Sequence, residues 1–234
     1  MRKLILAAAV GKRVGFPHEL QPPHNPGMTM AGAGMLWVGW YGFNGGSALA
    51  ANADAAAAIA CTHMAASTAG LTWAAIEWIK FKRPSLVGLV TGAVAGLATV
   101  TPASGSIGIA AASALGVVAS LVCFFMVQVV RKRLKIDDAL DVFAVHGVGG
   151  MFGAVATGVF ASAGIQAAYT GLLEGNAQQL VNQLIAVVAT VAYAVVATFV
   201  IIKVVDAILG IRVTSEHEEI GLDLAVHGEA AYQS

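Results

Sequence analysis

The chain has 234 residues, of which 58% are hydrophobic and 11% charged, and its mean hydropathy is +0.77. No soluble core of this size needs so much apolar surface, so the composition excludes a soluble globular domain and indicates an all-α, polytopic membrane protein. Thirteen basic and thirteen acidic residues balance, which points to neither nucleic acid nor an anionic partner and leaves the information in where the charges fall.

The amino-terminal stretch MRKLILAAAVGKRVG has the outline of a signal peptide, but Lys12 and Arg13 follow too soon and no polar domain comes after. It reads as a piece of a helix, shorter than the roughly 20 residues a span requires. Residues 16–27 (FPHELQPPHNPG) carry four prolines and two histidines and read as a loop. Six hydrophobic runs of spanning length follow, near 28–50, 55–79, 85–101, 106–130, 142–163 and 178–209. The last would be about 48 Å long as a helix against a hydrocarbon core of about 30 Å, so strong tilt or projection beyond the bilayer is expected. Lys and Arg cluster in alternate connections, and the intervening loops near 51–54, 102–105 and 164–177 contain none. The positive-inside rule therefore places the basic loops and the tail, residues 210–234, in the cytoplasm.

Within this frame the ionisable residues stand out, because a titratable group in hydrocarbon is costly and faces a pathway more readily than lipid. His146 sits in DVFAVHGVGGMFG, Asp141 to Gly153, about five residues into its span. Any of Asp137, Asp138 or Asp141 can cap that helix, which puts the imidazole either on a lumen in a recessed vestibule or in a plain interhelical hydrogen bond. His63, flanked by Thr62 and Ser67, reads as a packing histidine, and Glu77 as a side chain that snorkels to the interface or pairs there. The segment WVGWYGFNGGSALAANA, Trp37 to Ala53, places Trp40 and Phe43 on one helix face with Ser47 four residues further on. Such a stripe suits either a small cation held by ring quadrupoles and a hydroxyl or an interfacial aromatic belt. Cys61 and Cys123 lie in apolar runs and read as small packing residues. Most of the twenty-seven glycines read as serving close helix packing, whereas those beside His146 also suit a narrowed helix that lines a lumen.

Several blocks, in order, resemble the ammonium transporter (Amt/Rh) family: GKRVG (Gly11–Gly15), PHN (Pro23–Asn25), WVGWYGFNGGSA (Trp37–Ala48), TPASGSIG (Thr101–Gly108), RLKIDDALDVFAVHGVGG (Arg133–Gly150) and GIRVTSEHEEIGLDLAVHGEAAY (Gly210–Tyr232). Members of that family have eleven spans, with two inverted five-span repeats around a pore in each subunit of a trimer. The resemblance implies that this chain corresponds to the end of the fifth span, the second repeat and the eleventh span, without the first half. It implies further that His146 is one of two facing pore histidines, Phe43 one of two stacked gate rings, Trp40 a pore-lining aromatic and Ser47 the hydroxyl of an external recruitment site. Asp138 and Asp141 would mark the helix start.

The function so implied is passage of ammonium, as ammonia, through a hydrophobic pore, with deprotonation at an aromatic mouth and no cofactor or metal. Implied partners are the lipid bilayer, two further copies in a homotrimer and a PII-type signalling protein on the cytoplasmic face. The acidic and histidine residues of the tail, Glu216 to Glu229, lack the tight spacing of a metal site and read as a docking tail. A non-conducting sensor or assembly subunit is the main rival reading. An intramembrane enzyme is disfavoured, since no nucleophile–base pair stands out.

Overall fold

The structure is a computed structural model that describes residues 2–18 and 22–230. The loop read over 16–27 and the tail read over 210–234 fall partly on residues outside this set. All regular structure among the described residues is helical. A short helix α1 (Arg2–Val10) is followed by α2 (Pro26–Gly46), α3 (Ala53–Phe81), α4 (Leu86–Val100) and α5 (Ile109–Gln128), which widens into a π-helical turn, Val129–Arg133. A second π-helical turn, Phe143–Val148, leads into α6 (Gly149–Phe160). The 33-residue α7 (Ala177–Leu209) and a tail with α8 (Ser215–Ile220) complete the chain.

The helix starts are written locally. Asn25, Asn52, Ser85 and Asn176 each accept a hydrogen bond from the backbone N–H three residues on. They satisfy a donor that has no intrahelical partner, and Pro26 occupies the first turn of α2, where its missing N–H costs nothing. Three stretches are long and apolar enough to cross a membrane unaided: Ile109–Arg133, Phe143–Phe160 and Ala177–Leu209. Helices α2 and α3 have the length, 21 and 29 residues, but Gly, Thr, Asn and His dilute their apolarity. Helix α4 is apolar but has only 15 residues.

Lipid tails are as apolar as leucine, so helices in a bilayer are held by close contact and hydrogen bonds rather than by water exclusion. Helix α3 is the hub, packed against α2, α4 and α5, while α6 lies between α4 and α7, and α1 leans on α7. Gly96 of α4 and Gly116 of α5 both abut the carbonyl of Ala65, and a Cβ at either position would collide with it. Polar links reinforce the hub. Asn44 Nδ2 donates to Thr62 Oγ1 at 2.9 Å, Thr68 Oγ1 to the Ser113 carbonyl at 3.0 Å and Cys61 Sγ to the Ile107 carbonyl at 3.2 Å. Both cysteines are buried free thiols.

The basic connections gather at one end, where a clamp joins three distant segments. Arg13 donates from Nε and Nη2 to the two carboxylate oxygens of Asp137, at 2.8 and 2.7 Å. Arg212 donates to the Val10 and Lys12 carbonyls and to Glu218, whose other oxygen accepts the Val14 N–H at 2.9 Å. Burial pushes the Asp137 carboxyl up, but the hydrogen bonds and charge of Arg13 outweigh it and hold the group below the usual carboxylate range.

Candidate functional site

The site is assembled at the junction of α2 with the start of α6. His146 lies in the π-helical turn Phe143–Val148, whose first N–H, that of Phe143, donates to Asp138 Oδ2 at 2.7 Å. Asp138 is the residue that caps this helix, and its side chain is buried. Asp141 does something else. It sits at φ +53° and accepts from Arg131 Nη2 at 2.6 Å, while its Oδ1 is buried with no hydrogen-bond partner. Burial raises its carboxyl to about 6, against the opposing charge of Arg131 and with a further push from Asp138.

The His146 ring lies 6.2 Å from that of Trp40 with only 10° between the planes, a stacked pair. Trp40 is fixed on its other side by a hydrogen bond from Nε1 to Thr101 Oγ1 at 2.7 Å, and Thr101 in turn donates to the Leu97 carbonyl. Phe43, one turn further along α2, meets Trp40 edge-on at 6.2 Å and is 64% exposed. Ser47 follows at the end of the helix, with its hydroxyl turned back onto the Phe43 carbonyl at 2.8 Å. His146, Trp40, Phe43 and Ser47 thus form a continuous run. Among the described residues no hydrogen bond reaches the His146 ring, which borders a cavity of about 460 Å³ between the start of α6 and α7, also lined by Phe143, Met151 and Thr190.

One residue is placed otherwise than its neighbours in sequence suggest. His63 is exposed and does not engage Thr62 or Ser67; its Nδ1 pairs with the Tyr41 hydroxyl at 2.7 Å, and Trp37 lies 5.7 Å away. Of the two readings of Glu77 the structure shows a pairing: it accepts the Ser85 N–H at 2.6 Å and so holds the turn between α3 and α4. The partner roles of Thr101 and Arg131 were not among the sequence expectations. Thr101 opens the TPASGSIG block, which was the available signal.

Chemically, this wall offers ring faces, one hydroxyl and one imidazole whose nitrogens take no hydrogen bond among the described residues. Ring faces attract a cation, and a neutral imidazole has one donor and one acceptor nitrogen.

Comparison with known proteins is consistent over nearly the whole chain. The sequence is 48% identical over 229 residues to the ammonium transporter Amt1 of Archaeoglobus fulgidus, covering 98% of this chain and 58% of that protein. It is 42% identical to an ammonium transporter of Bacillus subtilis, covering 98% of this chain and 57% of the relative. The chain therefore spans little more than half the length of these curated relatives. Among solved structures, Saccharomyces cerevisiae Mep2 superposes with a TM-score of 0.83 at 34% identity, over 91% of this chain and 50% of that one. A Sensor Amt Protein superposes with a TM-score of 0.85 at 28% identity, over 95% and 56%. Residues 2–232 match the sequence profile of the Ammonium Transporter Family, and the chain belongs to that family.

Proposed function

We propose that this chain supplies one wall of an ammonium-conducting pore and works with a complementary first half. The observation that carries the reading is the unbroken run from Ser47 through Phe43 and Trp40 to His146. A charged ion entering an apolar lumen loses its water at a cost of several kcal/mol or more unless it sheds a proton or meets fixed donors and acceptors. On this reading Ser47 and the exposed ring of Phe43 meet the hydrated cation, Phe43 and Trp40 exclude water, and His146 accepts or donates a hydrogen bond to the neutral ammonia. One imidazole offers this at a single level, so a second polar group from the complementary half completes the path. The basic end faces the cytoplasm by the positive-inside rule, the assembly is a homotrimer, and a PII-type signalling protein docks at the tail.

Radiolabelled methylammonium uptake in cells lacking other carriers tests this. Uptake with a co-expressed first half, lost on His146→Ala, is the expected result; no uptake with or without that half would sink the proposal. A second reading, a non-conducting ammonium sensor, draws on the likeness to the Sensor Amt Protein. It predicts ammonium-dependent signalling with no uptake in the same cells.

A further inference from the structure

Both rings of the stacked pair are referred to the same turn of α4. Trp40 is tied to it directly, by the hydrogen bond from Nε1 to Thr101 Oγ1, and Thr101 closes α4 with its own N–H and hydroxyl on the Leu97 carbonyl. His146 is tied to it at one remove. Its carbonyl accepts the N–H of Gly149, and Gly149 and Gly153 are where α6 comes down on Thr99 of α4.

The two glycines meet different parts of Thr99. A Cβ at position 149 would stand 2.7 Å from Thr99 Oγ1 and 3.4 Å from Cys123 Sγ of α5. One turn later, a Cβ at position 153 would collide with the Thr99 carbonyl instead. Thr99 is fully buried, and its hydroxyl has no hydrogen-bond partner among the described residues. A hydroxyl that makes no hydrogen bond contributes its volume, and branching at Cβ leaves threonine few rotamers in a helix, so the oxygen is a firm stop. On its other side the start of α6 faces the cavity toward α7. That side can yield, and the α4 side sets the position.

We propose that Thr99 is a positioning residue for His146: its side chain, seated against Gly149, sets how far α6 stands off α4 and so fixes the spacing at which the imidazole is presented beside Trp40. Thr101, two positions on, holds the other ring of the pair, so a single turn of α4 gauges both. For its consequence this inference rests on the pore reading of His146; for its geometry it does not.

The test is the dipolar coupling between the two rings, read by solid-state NMR on the full chain in liposomes with fluorotryptophan and ring-labelled histidine. The signal lost on His146→Gln belongs to the Trp40–His146 pair, and the Trp37–His63 pair, 5.7 Å apart, is the internal control. Relaxing a 2.7 Å approach to an ordinary contact of roughly 3.5 Å moves α6 by about 0.8 Å; the coupling falls as the inverse cube of the 6.2 Å distance, so Gly149→Ala should lower it by roughly a third. Adding Thr99→Ala should restore the parent coupling. Thr99→Val, which keeps the shape and drops the hydroxyl, should leave it unchanged. Gly153→Ala should lower it with no rescue by Thr99→Ala, because that collision is with backbone. Circular dichroism reports the fold, and where Gly149→Ala alone does not fold, the pair of substitutions should regain both fold and coupling. An unchanged coupling in folded Gly149→Ala, a doubly substituted chain that does not regain the parent coupling, or a lowered coupling in Thr99→Val would overturn the proposal. With the first half co-expressed, methylammonium uptake should fall in Gly149→Ala and return with Thr99→Ala; uptake indifferent to a lowered coupling would overturn the proposal too. Uptake absent from every chain, with the couplings as expected, would sink the pore reading and leave the positioning intact.

Discussion

Trp40 is held from both sides, stacked on His146 and hydrogen-bonded to Thr101. Thr101→Val removes the acceptor but not the volume, so a partly buried indole N–H is left unsatisfied. About 1–3 kcal/mol of destabilisation is expected in a denaturant titration of the membrane-reconstituted chain. Asp141 offers a second test, because its carboxyl titrates near pH 6 rather than 3.8. A folded-state pKa above the unfolded one means the native form binds the proton more tightly. The contribution of Asp141 to stability is therefore fully present below about pH 4 and is lost as the pH rises through 6. Infrared difference spectra should show a protonated carboxyl band disappearing near pH 6. Asp141→Asn should abolish the band, and Arg131→Gln should move the midpoint upward, since Arg131 favours the ionised form. The spacing of Trp40, Phe43 and Ser47 was legible because three- and four-residue steps share a helix face. The partners of His63 and Trp40 were not, since Tyr41 and Thr101 arrive from other helices and nothing local marks them. Of three candidate caps, only the fold distinguishes Asp138 from Asp141, through a left-handed backbone at a residue that is not glycine.

At the scale of the element, α3 behaves as a spindle on which α4 and α5 are threaded at one carbonyl, that of Ala65. Gly96→Ala and Gly116→Ala each force a Cβ into that carbonyl. Overpacking of this kind costs about 1–3 kcal/mol, and the two losses should be non-additive because both displace the same carbonyl. Asn44→Ala, which removes the buried bond to Thr62, should cost less, about 0.6 kcal/mol and at most about 1.7, the average and the maximum for interhelical hydrogen bonds in a bilayer protein. Both are measurable by steric-trap or denaturant unfolding. Helix starts could be read from composition alone, because Asn and Ser caps and Pro26 are local signals. Which glycines matter could not, since twenty-seven look alike in one dimension and only contact geometry separates Gly116, against a backbone carbonyl, from Gly150, with open space around it.

Over the whole molecule, the first and last parts of the chain are bound to each other. Val14 and Glu218 are 204 positions apart and share a 2.9 Å hydrogen bond, with Arg212 spanning the same gap to Val10 and Lys12. The sequence disclosed the blocks GKRVG and GIRVTSEHE without disclosing that they touch, because separation along a chain says nothing of proximity across it. The Arg212–Glu218 pair is partly exposed, so Glu218→Gln should cost about 1 kcal/mol and raise the released fraction of the tail roughly fivefold. Limited trypsin digestion should then cleave after Arg212 correspondingly faster. Residues 10–14 are synthesised long before Arg212 and Glu218, so the Val10 and Lys12 carbonyls and the Val14 N–H meet these partners only late in the making of the chain, and folding of this end is coupled across some two hundred intervening residues.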